Sequence, residues 1–409
     1  MSEPLQPKLR EVSIQSLLHG TQRGLLLSDP LGLTDQGVFI PQNFAPILQL
    51  MNGTRNLATL RTGFELRTGI PISESTIQQM LSELDTALLL DNEHFHQAAA
   101  LALQEFRQAP YRPPIMAGKS YPADPEQLRA KLQSYFDSLA DETGDALSPT
   151  DIRGLICPHI DFDRGGSVYA QVWGKVAPMM ERIELVIVLG TDHIGGGERL
   201  ILTRQHYATP WGVLPTAQEV VDQLVRVLGE EVALGDEFHH RSEHSIEAAA
   251  VWLHHLLGDR RCELAPILCG SFQSFIEGGT RPYGDEKLSA AIEILKRAMA
   301  SRETLVVAAA DLAHVGPAFG DPVPIGLHER ATLRASDEQL MASIFAGDAE
   351  ATFEQVRQEG DRRRICGLPP IYLGLSLLGE AKGYLAGYMQ CPADDRGTSV
   401  VSICGAVFA

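Results

Sequence analysis

Two segments of this chain, LVIVLG at residues 185–190 and LVVAAA at 305–310, are apolar at every position. A strand with one solvated face alternates apolar and polar residues, so a short unbroken apolar run bounded by polar turns predicts a strand covered on both faces. Such strands belong to a sheet with helices on either side, and the fold class they demand is α/β. The polar residues are displaced to the strand ends. GTDH follows the first run, with Asp192 and His193, and ADLAH closes the second, with Asp311 and His314. A third stretch, LICPHID, ends another apolar run in His159 and Asp161. In open α/β sheets, sites gather in the crevice beyond the carboxyl ends of the strands. The three clusters are therefore expected to converge.

Strands are expected at 153–157, 184–190, 199–203, 263–269, 304–310, 383–390 and 398–405. Helices are expected at 125–139, 217–228, 245–257, 285–300, 328–346 and 369–378. Residues 1–112 have a different texture. NFAPILQLM has helical spacing, NGTRNLATL predicts a turn and a short helix, and Ser73 or Ser75 is placed to cap a helix with Ile77, Met80, Leu81 and Leu84 on one face. LLL at 88–90, followed by Asp91 and Asn92, reads as a strand entering a hairpin. Three short helices and a hairpin suggest a winged helix, and a small helical packing domain fits the same pattern. The helix over 75–84, with Glu74 and Glu83 and no Lys or Arg, points away from DNA and towards a peptide or partner protein. QAPYRPP at 108–114 reads as a proline-bearing linker, giving domains at 1–112 and 113–409.

Composition narrows the partners. Lys and Arg total 34 against 52 Asp and Glu, a formal net charge of −18, which disfavours nucleic acid and anionic membrane surfaces because both need clustered cations. No apolar run approaches the roughly 18 residues that span a bilayer, and MSEPLQPKLREVS does not read as a signal peptide. The six cysteines form no C-x-x-C pair and read as reduced thiols, so a cytoplasmic location is expected.

Two further clusters join the strand ends. EFHHRSEHSIE contains Glu243 and His244, and RRRICGLPP places Cys366 just before an expected helix. There the helix N-terminus and the neighbouring arginines favour a thiolate. Two histidines and one anionic ligand form an open site for iron, zinc or copper. Taken singly, each residue has a plainer reading. A strand-end histidine is commonly a hydrogen-bonded structural group and a lone cysteine a small apolar one. His254 and His255 read as helix-surface residues, and His94, His96, His239 and His240 as solvated ones. The coincidence of three strand-end clusters in one sheet is what favours a site.

The order PHxDF, LGTDH, EHSIE, ADLAH and RRICG resembles the Memo family, and the N-terminal extension is similar to the form called AmmeMemoRadiSam system protein B. MAGKSYPADPEQL at 116–128 resembles the family's opening, A-G-S-W-Y-P, with Ser120 in place of tryptophan. The resemblance covers 114–409 and implies a Memo-like sandwich similar to class III non-haem iron dioxygenases. It implies His159, His193 and Cys366 as ligands of iron or copper, with zinc a further candidate. His314 falls where those dioxygenases keep an acid/base histidine, with Asp311 in the same segment, and Glu243 and His244 fall at the rim. Asp161 stands where the family has glycine, Ala217 where it has an acid, and Ala249 where it has histidine. An acid has thus moved to Asp161. Asp161 or Asp311 is expected to fix a histidine tautomer, Asp192 to lie beside the ligands, and Arg164 to hold a substrate carboxylate or phosphate. Residues 1–112, through LLLSDPLGLTDQGVFIP, resemble the PqqD-like winged-helix recognition domains. The activity implied is that of a metal-dependent oxidoreductase related to extradiol dioxygenases, acting on a small molecule or peptide. The alternatives are a metal-assisted hydrolase and a non-catalytic scaffold working with a radical SAM protein and an associated small protein.

Overall fold

The computed structural model describes residues 6–139, 151–195 and 200–409, in two compact units, Met1–Gln108 and Ala109–Ala409. The smaller unit runs β1 (Ser13–His19), β2 (Gln22–Ser28), β3 (Val38–Pro41), a 3-10 turn over Ala45–Leu50, α1 (Leu57–Thr68), α2 (Glu74–Thr86) and α3 (Glu93–Gln108). Its strands form an antiparallel sheet in the order β1-β2-β3. The Ser73 side chain accepts from Thr76 N and starts α2, which buries Ile77, Met80, Leu81 and Leu84. NFAPILQLM tightens into the 3-10 turn, with Pro46 in its first positions. The strands precede the helices, and 88–90 does not open a hairpin. Leu90 makes a single bridge to Leu9, after which Asn92 Oδ1 accepts from Phe95 N as the chain turns into α3.

The larger unit runs α4 (Pro125–Asp137), β4 (Gly154–Cys157), α5 (Phe162–Val176), β5 (Leu185–Thr191), β6 (Leu200–Leu202), β7 (Tyr207–Thr209), β8 (Gly212–Leu214), α6 (Gln218–Leu228), α7 (Glu230–Leu234), α8 (His239–Ser242), α9 (Ser245–Leu257), β9 (Glu263–Cys269), α10 (Gln273–Glu277), α11 (Glu286–Ser301), β10 (Thr304–Ala309), β11 (His314–Val315), α12 (Leu327–Phe345), α13 (Ala349–Gln358), α14 (Leu368–Leu378), β12 (Gly383–Pro392) and β13 (Val400–Phe408). Eight strands form one mixed sheet, in the order β11-β13-β4-β10-β5-β9-β6 with β12 paired to β13. The central four, β4, β10, β5 and β9, are parallel, and β13 and β6 flank them antiparallel.

Strand β5 shows why the apolar runs are unbroken. Leu185, Ile187 and Leu189 join a core with Leu224 of α6, Leu295 of α11 and Leu375 of α14. Val186 and Val188 face the other way, into a core with Leu132 of α4, Trp173 of α5 and Trp252 of α9. Successive strand residues point to opposite faces, and both faces are covered. The expected strand at 199–203 is found as β6; Arg199 itself lies outside the described residues. Helix α5 goes beyond the sequence reading. Asp161 accepts from Arg164 N to cap it, and Tyr169, Val172, Trp173 and Val176 are buried along it. Three glycines, at 165, 166 and 174, weaken its local helical signal, and packing restores it.

The stretch QAPYRPP does more than link. Arg112 within it is fully buried. Its guanidinium donates to the carbonyls of His240 (2.7 Å) and Glu243 (2.7 Å) and pairs with the Glu247 carboxylate. Glu247, also fully buried, further accepts from Ile115 N (3.0 Å), Met116 N (2.9 Å) and the Tyr121 hydroxyl. One carboxylate thus fastens residues 112–121 to the first turn of α9. Removing one partner of a buried pair strands the other charge, so Arg112→Ala should lower stability by about 3–5 kcal/mol in urea unfolding. Gly190 is fixed by a different contact. A Cβ there would lie 2.6 Å from both Ile246 Cγ1 and Ser245 Oγ at the start of α9. Gly190→Ala should therefore cost about 1–3 kcal/mol by the same measurement.

Candidate metal centre

Strands β4 and β5 lie on either side of β10, with Cys157 beside Ala309 and Leu189 beside Ala308. Strand neighbours are about 4.8 Å apart, so the ends of β4 and β5 stand about 10 Å apart with β10 between them. His159 and His193 leave those ends and turn towards each other, their ring centres 4.9 Å apart and their planes at 87°. Cys366, in the loop before α14, reaches the same place. The main chain of that loop lies against β10, where Gly367 N donates to Asp311 O at 3.2 Å. A Cβ on Gly367 would collide with that carbonyl and come within 2.6 Å of Ala310 Cβ, which explains the glycine after the cysteine.

The ring orientations follow from what each Nδ1 touches. His159 Nδ1 lies 3.0 Å from the carbonyl of Ala309. A carbonyl only accepts, so Nδ1 carries a proton, and Nε2 faces Cys366 Sγ at 3.3 Å, where it donates when the ring is charged and offers its lone pair to an ion only when the ring is neutral. His193 Nδ1 lies 3.0 Å from Glu243 Oε2 and is protonated by the same reasoning. The Asp311 carboxylate accepts from the main-chain N–H of His159 (2.9 Å) and of Ile160 (3.3 Å), setting the turn after β4. Glu243, 2% exposed, also accepts from the main-chain N–H of His193 (2.9 Å), His244 (2.7 Å) and Ser245 (2.9 Å), and contacts His244 Nδ1 at 3.1 Å.

The charges follow. Burial works against ionisation of Glu243, and the His193 and His244 imidazoles outweigh it, holding the carboxyl well below the usual range. Burial likewise opposes a charge on His159, but the Asp311 and Cys366 charges raise its pKa to about 9. At Cys366 burial favours the thiol, and the His159 charge, with hydrogen bonds from His159 and His193, draws the pKa down to about 5. The imidazoles, rather than the neighbouring arginines, make the thiolate. Arg364 is turned to Asp321 (2.6 Å) and Arg363 to Asp337 (2.5 Å) and Glu359.

Donor atoms of His159, His193 and Cys366 lie within 4.8 Å of one another. Atoms bonded to one tetrahedral ion at about 2.1–2.3 Å are about 3.5 Å apart. The 3.3 Å separation of Sγ and His159 Nε2 suits an ion, and two imidazoles presenting Nε2 beside a thiolate form a fitting donor set. Glu243, His193 and His244 make a second close group, but the carboxylate oxygens there are already taken up by N–H donors. Glu243 orients the two histidines, in the way that carboxylates commonly orient metal-ligating imidazoles.

A cavity of about 460 Å³ opens beside His159 and His193. His244 stacks against His193 at 5.0 Å. His314 lines the same cavity, its Nδ1 near the carbonyls of Leu312 and Arg364 and its ring edge-on to Phe319. Arg164 and Asp161 pair at 2.6 Å on the cavity wall, and Arg164 also donates to Pro392 O. Asp161 therefore caps α5 and holds Arg164; the His159 tautomer is set by Ala309 O instead. Asp192 accepts from His239 at 3.1 Å. His239 and His240 are buried, contrary to their reading as solvated residues. His240 bonds to Tyr207 and Ile201 O, and burial pushes its pKa down to about 3. Arg112, Tyr121 and Glu247 escaped the sequence reading as parts of this assembly. An acid four residues after Glu243, in the otherwise apolar turn SIEAAAVWL, was the available signal.

The fold and site define an α/β protein with a preorganised two-histidine, one-cysteine cluster at the carboxyl ends of its central strands. A family model described as Memo-like protein matches residues 112–407. The chain belongs to the Memo family. It is 25% identical over 410 residues to a MEMO1 family protein of Aquifex aeolicus, covering 99% of this chain and 100% of that one. It is 28% identical over 286 residues to a MEMO1 family protein of Methanopyrus kandleri, covering 68% and 91%. It is 25% identical over 282 residues to one from Methanosarcina barkeri, again covering 68% and 91%.

In metal-free protein, alkylation of Cys366 by iodoacetamide should rise with pH through a midpoint near 5. His159→Ala removes the nearest cationic partner and should move the midpoint upward, slowing alkylation at pH 6.5. Peptide mass spectrometry across a pH series reads both.

Proposed function

We propose that this protein is a metal-dependent enzyme of the oxidoreductase class, with a mononuclear iron or copper held by His159, His193 and Cys366 and an architecture related to the class III dioxygenases. The observation that carries the reading is the convergence of three donor atoms within 4.8 Å, with both imidazole Nδ1 atoms engaged elsewhere. When bound, such an ion supplies Lewis acidity and a change of oxidation state.

The chain's own residues supply the rest. Asp311 and Ala309 O hold His159, and Glu243 holds His193, so the donors need little rearrangement. The cavity of about 460 Å³ has room for a small molecule beside the donor cluster. His314, its Nδ1 turned to main-chain carbonyls, keeps Nε2 to take a proton from, or return one to, a ligand there. The Arg164 guanidinium is matched by Asp161, which makes the cavity a poor trap for an isolated anion.

Anaerobically purified protein should contain near-stoichiometric metal by elemental analysis. His159→Ala, His193→Ala or Cys366→Ala should each weaken Fe(II) or Cu(I) binding about 100-fold or more. Absence of metal together with unchanged affinities in the three variants would refute the proposal. Oxygen uptake lost on chelation supports redox chemistry; chelation-sensitive turnover that persists without oxygen would assign hydrolysis instead. Protons compete with the ion for the imidazoles. Because the folded-state pKa of His159 is raised to about 9, affinity should climb as pH rises towards 9, with protons released on binding.

A further inference from the structure

A second cavity, of about 200 Å³, reaches the donor cluster from the side of Cys366. It shares one lining residue, His193, with the larger cavity. Cys366 belongs to the smaller one and His159 to the larger. Among the described residues, the donor cluster is therefore approached from two sides, one meeting His159 and the other Cys366, and the smaller cavity has less than half the volume of the larger.

The wall of the smaller cavity says what it takes. Its apolar part comes from Phe272 and Ile276 at α10 and from Ile365, Leu368 and Pro369 at the start of α14. Its polar side chains are engaged within the protein. Thr191 Oγ1 donates to Cys366 O at 3.2 Å, and Asp192 accepts from His239 and from Ile194 N. Asp361 accepts from Ile365 N at 2.8 Å, and Arg364 pairs with Asp321 at 2.6 Å. Ser271 Oγ accepts from Gln273 N, and the Gln273 amide donates to Glu277. Among the described residues, the charged groups of this wall other than Cys366 and His193 at its inner end are already paired or hydrogen-bonded within the protein, and desolvating an unpaired ion is costly. A liquid water occupies about 30 Å³, so the space suits a diatomic gas or a molecule of a few heavy atoms.

We propose that this chamber is a separate entry for a small uncharged molecule to the Cys366–His193 side of the site, independent of the cavity that takes the larger ligand. It rests on the metal reading only for what that molecule meets at its inner end. Its test needs no metal, so the two ideas fail separately.

The probe is the Cys366 thiolate of the metal-free full-length protein, labelled with neutral methyl methanethiosulfonate and read by peptide mass spectrometry. The thiolate attacks the reagent's sulfur, forming a mixed disulfide and releasing methanesulfinate. Ser271 and Gln273 are exposed residues of the chamber wall. Ser271→Trp and Gln273→Trp should each slow labelling at least tenfold, while Ser120→Trp in the larger cavity should leave it within twofold. The opposite pattern, or a Cys366 that small reagents never label in the native protein, overturns the proposal. The unmodified chain supplies a second test should a variant fail to fold. With rates normalised to a free thiol, the methyl reagent should outrun a bulky aromatic one at least tenfold, and a neutral alkyl reagent should outrun cationic and anionic reagents of equal length. Equal normalised rates across size and charge would show no selective chamber.

Discussion

Everything at the site depends on β10 pairing in parallel between β4 and β5. Three parallel neighbours end on the same side of the sheet, so the residues following each end are delivered to one place. Because helices cover both faces, a polar side chain within these strands would have no water and no partner. The chemistry-bearing groups are confined to the ends, where the crevice admits a ligand. β13, antiparallel beside β4, contributes from the flank, with β11 carrying His314.

The entrance to α9 provides the second layer of control. Glu243 and Glu247 stand four residues apart and divide the work. Glu243 collects the N–H groups around His193 and His244, and Glu247 collects Arg112, Tyr121 and the main chain at 115 and 116. Both carboxylates are buried, and a buried charge persists only when fully hydrogen-bonded. The hydrogen bonds that satisfy them also fix the atoms around them. The close passage of Gly190 under Ser245 and Ile246 sets the height of this turn above β5.

Asp161, the acid standing where glycine is usual in the family, takes on a local meaning in this framework. Its carboxylate caps α5 and pairs with Arg164, whose guanidinium also bonds Pro392 O. The substitution links the turn after β4 to the end of β12. It shapes the cavity wall, while the His159 ring is held by Ala309 O instead.

Much of this was legible in the chain because it depends on local pattern. Apolar runs announced the buried strands, polar residues at their ends announced the crevice, and the pair Ser73 or Ser75 announced the start of α2, which the structure places at Ser73. Strand-end position marked His159, His193 and His314, and the loop before a helix marked Cys366; the resemblance to the Memo family then grouped His159, His193 and Cys366. What local pattern could not convey were choices made by distant partners. Arg112 resembles a linker residue until Glu247, 135 positions later, pairs with it. His239 and His240 resemble solvated residues until Asp192 and Tyr207 close over them. The hairpin expected after 88–90 gave way to α3 once Leu90 bridged Leu9. Sequence alone determined the α/β class and the strand-end clusters, because burial and strand ends are written in periodicity; the particular set His159, His193 and Cys366 came from the resemblance to the Memo family. Tertiary structure alone decided which nitrogen each histidine presents, that imidazoles rather than arginines make the thiolate, and that two cavities reach the cluster. Those depend on atoms brought together across the sheet, at distances no spacing along the chain encodes.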